Sequence, residues 1–122
     1  MALLQELLDS APEITALRRD IHAHPELCFE EIRTADLVAR QLEGWGIAVH
    51  RGLGRTGVVG TIHGRDGGAS GRAVGLRADM DALPMTEHNT FAHASRHHGK
   101  MHACGHDGHV AMLLAAAQHL AE

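Results

Sequence analysis

Cys104, Gly105, His106 and Asp107 place a thiol, an imidazole and a carboxyl within one short stretch. Thiolate and imidazole suit zinc and other late divalent metals. Two positions apart, both reach one ion only if the backbone between them turns, and Gly105 tolerates the positive φ that such a turn needs. Asp107 is then a further ligand, an acceptor behind a ligating histidine, or the cap of a following helix. On spacing alone, Cys104 is equally well an inert buried thiol.

A second group precedes this one. Asp79 and Asp81 directly follow the apolar run at residues 73–78 (AVGLRA). Alternation puts both carboxylates on one side of an extended backbone, and open α/β sheets gather ligands at the carboxyl ends of their strands. The plain alternative is a polar turn closed by Pro84. The two groups converge on one pocket if Asp107 opens a helix that packs on the run before Asp79. Neither group alone reaches four ligands. Four glutamates (Glu26, Glu30, Glu31 and Glu87) are candidates for the general base of a hydrolytic metal site, and no spacing selects one of them.

The elements that must position these groups are legible in outline. Residues 3–23 read helical: Leu3, Leu4, Leu7 and Leu8 share a face, and Ile14, Leu17 and Ile21 continue the spacing after Pro12. Pro25 ends that helix. Residues 30–42 form a second helix with Gly44 as its stop. Three short Val- and Ile-rich runs follow, at residues 47–50, 57–63 and 73–78, and read as strands. Between the last two, residues 64–71 (GRDGGASG) read as an exposed loop. The run at 73–78 is apolar enough for a buried central strand. From Asp107 the helical pattern returns, with Val110, Leu113, Leu114, Ala117 and Leu120 on one face. No stop signal stands near Glu122, so the chain reads as truncated.

Composition narrows the function classes. Hydrophobic residues make up 44% and charged residues 21% of the 122 residues, as in ordinary globular chains. Net charge is -4, and the Lys and Arg are scattered, which argues against nucleic acid as partner. The opening residues lack the basic and apolar regions of a signal peptide, and no run approaches a membrane span. A reducing cytoplasm is therefore expected, with Cys28 and Cys104 unpaired. Histidine is the outlier: twelve residues, seven of them between His88 and His109. Such a run raises the prior for metal chemistry.

Five stretches carry a resemblance. LRRDIHAHPELCFEEIRTADLV, GVVGTIHG, GLRADMDALPMTE, FAHAS and GKMHACGHDGHVAMLLAAA occur in this order along nearly the whole chain. It resembles the N-terminal portion of the amidohydrolase-type metallopeptidases that include hippurate hydrolases, N-acyl-amino-acid amidohydrolases and auxin-conjugate hydrolases. The resemblance implies an α/β fold: part of a mixed-sheet catalytic domain with flanking helices. It implies that residues 1–122 are the N-terminal part of that domain. The rest of it and a smaller dimerisation domain would lie outside, and the full-length protein would be a homo-oligomer. It implies two divalent metal ions (zinc, manganese, nickel or cobalt), with Cys104 and His106 as ligands. Asp81 would orient the site, and Asp79 and Asp107 would stand behind the ligands. Asp79 occupies the place of a histidine ligand in related metallopeptidases, which sets it apart from direct ligation. The HAHPEL segment reads as structural, with His24 at most near the site. The implied reaction is amide hydrolysis of a small-molecule N-acyl amino acid. Its glutamate base would lie beyond residue 122, so the 122 residues alone would be inactive. The rival reading is a non-catalytic metal-binding fragment or degenerate remnant.

Overall fold

The computed structural model describes residues 4–122. Residues 1–3, with Leu3 of the first expected apolar face, lie outside the described residues. Helix α1 runs Gln5–Ala23 and α2 runs Ile32–Gly44; strands β1 (Ala48–Leu53) and β2 (Gly57–Thr61) follow, and α3 is His106–Ala121.

Each boundary has a local cause. Proline crowds its preceding residue out of the α region, and His24, before Pro25, sits at φ -126°, ψ 61° where α1 ends. The next helix then receives an anion at its positive end. The Glu26 carboxylate accepts the N–H groups of Arg33 at 2.9 Å and Thr34 at 2.7 Å, satisfying first-turn donors that have no partner within the helix. At the far end of α2 the stop is Gly46, not Gly44. Gly46 has φ 75°; its N–H reaches the Glu43 carbonyl at 2.9 Å, and the N–H of Ile47 reaches that of Leu42 at 3.0 Å. This pair of bonds is the Schellman closure, which needs a left-handed residue just past the helix. It folds Ile47 back onto Leu42 in the core.

β1 and β2 pair antiparallel, Ala48 opposite Thr61. The hairpin lies close on α2: a Cβ on Gly60 would stand 3.1 Å from the Ile47 side chain and 3.2 Å from that of Leu42. Ile21, Leu42, Ile47, Val110 and Leu114 form the buried centre, with Leu17, Trp45, Val58, Ala78 and Met80 around it. The first half of α1 contributes little: Leu4 and Leu8 are each about half exposed.

Two expectations need correction. The run at 73–78 is not a strand here, and the sheet of the described residues is two-stranded. Val74 is 88% exposed and Leu76 59% exposed. An apolar extended segment becomes a central strand only when backbones on both sides take up its N–H and C=O groups, and β1 and β2 pair only with each other. The chain just after it is anchored instead. The Ala82 N–H bonds the Glu26 carbonyl at 2.8 Å, and Leu83 exchanges both backbone bonds with Met101. The second correction concerns α3. Its buried stripe is Asp107, Val110, Ala111 and Leu114, while Leu120 is exposed. A carboxylate thus heads the buried face of the helix. The α/β class itself stands, and residues 64–71 are exposed turns, as expected.

Candidate metal centre

Gly105 caps α3 in the left-handed region, at φ 84°, ψ 14°. A side chain would be strained there, so this glycine is what lets His106 start the helix directly after the turn. On an α-helix, residues three apart share a face. His106 and His109 accordingly stand side by side, ring centroids 5.4 Å apart.

The acidic segment meets them. Alternation along residues 78–81 sends Ala78 and Met80 to the core and the two carboxylates to α3. His106 Nδ1 lies 2.9 Å from Asp81 Oδ1, and His106 Nε2 lies 3.5 Å from Asp79 Oδ2. His109 Nδ1 lies 2.7 Å from Asp79 Oδ1. With Nδ1 donating to Asp81, the imidazole of His106 keeps its lone pair on Nε2, where a metal ligand needs it. The hydrogen bond from His109 is the largest influence on Asp79. It outweighs the opposing effect of burial and holds the carboxyl below its usual range.

Asp79, His106 and His109 each offer one donor atom, all within 4.8 Å of one another, and His109 is exposed. Two imidazole nitrogens and a carboxylate oxygen fit a late divalent cation. This trio is not the one expected. Cys104 is a free, exposed thiol and stands outside the three-donor group. Asp79, expected behind the ligands, is inside it. His109 lies in the histidine-rich run but is not singled out by the sequence; its spacing of three from His106 on a helix is the available signal. Cys28 is also free and exposed, so the two thiols form no pair.

Asp107 faces the other way. It is 1% exposed, and its Oδ2 accepts from Arg18 Nη1 and from His22 Nδ1, each at 2.9 Å. It does not cap α3, whose cap position is Gly105 and carries no side-chain bond. His22 Nε2 lies 2.6 Å from Glu87 Oε1. Glu87 also accepts the backbone N–H of Ser95 and, at 3.3 Å, the Asn89 amide. Burial raises the Glu87 carboxyl, but these hydrogen bonds outweigh it and the group titrates below its usual range. His22 and Glu87 are therefore structural partners of Asp107 that sequence reasoning did not select. The HAHPEL segment places His22 in this network and leaves His24 on the Asp20 carbonyl, at 2.8 Å. His102 is 4% exposed with neither ring nitrogen hydrogen-bonded; burial lowers its pKa.

Among the described residues, no helix is long and apolar enough to cross a membrane. Residues 75–122 match the model of Peptidase family M20/M25/M40. The chain is 47% identical over 121 residues to the hippurate hydrolase of Campylobacter jejuni, covering 99% of this chain and 31% of that protein. It is 47% identical over 116 residues to the N-acyl-L-amino acid amidohydrolase of Geobacillus stearothermophilus, covering 94% of this chain and 30% of that protein. A Bacillus subtilis crystal structure, described as a dinuclear metal-binding peptidase from the M20 family, superposes with TM-score 0.80 at 37% identity. That superposition covers 93% of this chain and 31% of the other. The chain thus spans about 30% of the length of these relatives. Motifs, fold and relatives agree that this chain belongs to the M20 family of amidohydrolase-type metallopeptidases.

Proposed function

We propose that these residues form the N-terminal part of a catalytic domain and supply part of a dimetal site that hydrolyses the amide of N-acyl amino acids. The observation that carries this reading is His106 held between Asp81 and Asp79 at the start of α3. His106 is the central ligand, and Asp81 orients it. Asp79 and His109 complete the donors at one ion. Cys104, exposed at the entrance to the Gly105 turn, is the ligand toward a second ion. Asp107 supports the site from behind. A bound divalent ion (zinc, manganese, nickel or cobalt) supplies carbonyl polarisation and an acidified water.

The family resemblance puts the general base in a glutamate outside residues 1–122, and three of the four candidate glutamates on this chain are otherwise engaged. Glu26 accepts the N–H groups that open α2. Glu31 accepts the Thr56 hydroxyl at 2.7 Å. Glu87 is buried under His22. The whole protein acts in the cytoplasm as a homo-oligomer on a small substrate, without nucleic acid or membrane.

The rival reading, a non-catalytic metal-binding fragment, draws on the fact that this chain alone assembles three donors. Two measurements on the purified 122 residues separate the readings. Titration with Co2+ should give a ligand-field spectrum that His106→Ala abolishes. Hippurate and N-acetyl amino acids should not be hydrolysed by this chain alone, but should be once the missing portion of a relative is supplied in trans. Hydrolysis by the 122 residues alone, lost on chelation and in Cys104→Ser, would overturn the assignment of the base. Failure of the supplemented protein to hydrolyse either substrate, with Co2+ bound, would favour the rival.

A further inference from the structure

The imidazole of His22 has an acceptor at each nitrogen: Asp107 Oδ2 at 2.9 Å and Glu87 Oε1 at 2.6 Å. An ionised carboxylate accepts and cannot donate. Each ring nitrogen of His22 faces a carboxylate oxygen, one from α3 and one from the loop before it. Its side chain is 9% exposed, and those of Glu87 and Asp107 are 1% and 2% exposed. Arg18 Nη1 donates to the same Asp107 oxygen at 2.9 Å. The other titratable rings facing His22 are His93, at 5.7 Å between centroids, and His102, at 6.3 Å; Phe91 closes the remaining side at 5.9 Å.

We propose that His22 is a positioning residue of the metal centre: clamped between Asp107 and Glu87, it sets the rotation of α3 that delivers His106 and His109 to Asp79 and Asp81. This rests on the metal-centre reading above. Asp107 follows His106 directly, and successive residues are rotated by about 100° around a helix. Pinning Asp107 against α1 therefore fixes where His106 and His109 point. The clamp has purchase on three elements. His22 and Arg18 belong to α1, Asp107 to α3, and Glu87 to the loop before α3. That loop is docked on the end of α1 through the Arg96 N–H and the Ala23 carbonyl, at 2.9 Å. Within it, the Ser95 hydroxyl donates to the Lys100 carbonyl at 2.7 Å. A turn of α3 by one residue would carry Asp107 away from α1 and both histidines away from the carboxylates.

Glutamine in place of His22 cannot reproduce the clamp, because both of its donors sit on one nitrogen and its oxygen would face a carboxylate. In His22→Gln, Co2+ affinity should fall about tenfold, the lower end of what loss of an outer partner costs a metal site. The Co2+ spectrum should change shape while the far-UV circular dichroism stays that of the parent chain. In the parent chain, 15N imidazole NMR without metal should show both His22 nitrogens protonated. Glu87→Gln keeps an acceptor for Nε2 but removes one anion, and should weaken Co2+ binding by a smaller factor. If His22→Gln does not fold, Glu87→Gln and the NMR spectrum decide. A bare His22 nitrogen in the folded parent overturns the proposal. So does Co2+ binding unchanged within twofold, with an unchanged spectrum, in a folded clamp variant. Absence of Co2+ binding by the parent chain overturns the metal-centre reading and this proposal with it, whereas weakened binding in the variant alone supports both.

Discussion

Two sets of the same side-chain types meet at consecutive residues of α3. Asp107 and His22 are buried and saturated: each polar atom facing a neighbour has a hydrogen-bond partner. His106, Asp79 and Asp81 are only half-buried and His109 is exposed, and Asp79, His106 and His109 each keep a donor atom for an ion. The chemistry is carboxylate and imidazole in both cases. What differs is whether protein groups have already used the lone pairs. A saturated network fixes geometry, because breaking it leaves a buried polar group without its partner. An open set bound on one side only retains the capacity to take up an ion.

The contrast is most sharply tested from the buried side. Asp107→Ala removes the acceptor of both Arg18 and His22, and should cost about 3–5 kcal/mol, as for other broken buried pairs. Urea unfolding followed by circular dichroism measures it. A loss no larger than that of a surface substitution would end the distinction between the two sets.

His106→Ala should show the reverse pattern. Its effect on stability should be about 1 kcal/mol or less, while Co2+ binding should fall by more than the ~10–100-fold typical of losing an outer partner. Urea unfolding of the variant reads the first and isothermal titration with Co2+ the second.

Acid tests the buried set as well. The folded Glu87 carboxyl titrates below its ordinary value of 4.5. Its contribution is therefore present above that value and is lost as pH falls through the lower folded value. Stability of the parent chain should drop on acidification below about pH 4.5, and the drop should be shallower in Glu87→Gln, which has no such proton to take up. Denaturant midpoints measured from pH 6 to pH 3 give the comparison.

The smallest effect is expected where nothing is bonded at all. Val74 is 88% exposed on an unpaired segment, so Val74→Lys should change stability by no more than about 0.5 kcal/mol. A larger loss in thermal melts would mean that residues 73–78 make contacts of their own in solution.

What sequence alone determined was the local part. Pro25 ends α1, because a proline acts on the residue beside it. Gly105 takes the left-handed turn, because only a residue without Cβ does so freely. Asp79 and Asp81 share a side, because an extended chain alternates. Convergence of the DMD and CGHD segments was only conditional on these, and it is tertiary packing that brings Asp81 to 2.9 Å from His106. Tertiary structure decided the rest. His22 and Glu87 meet across 65 residues, and no spacing rule links an imidazole on α1 to a carboxylate in a later loop. Asp107 has a helix-capping residue type, yet its carboxylate turns inward because Arg18 and His22 offer hydrogen-bond partners there. His109 rather than Cys104 joins His106, because the helix puts residues three apart on one face while Cys104 lies before the turn. The run at 73–78 has the composition of a central strand but not the structure. A strand is completed by neighbouring backbones, and these residues find none among the rest of the described chain.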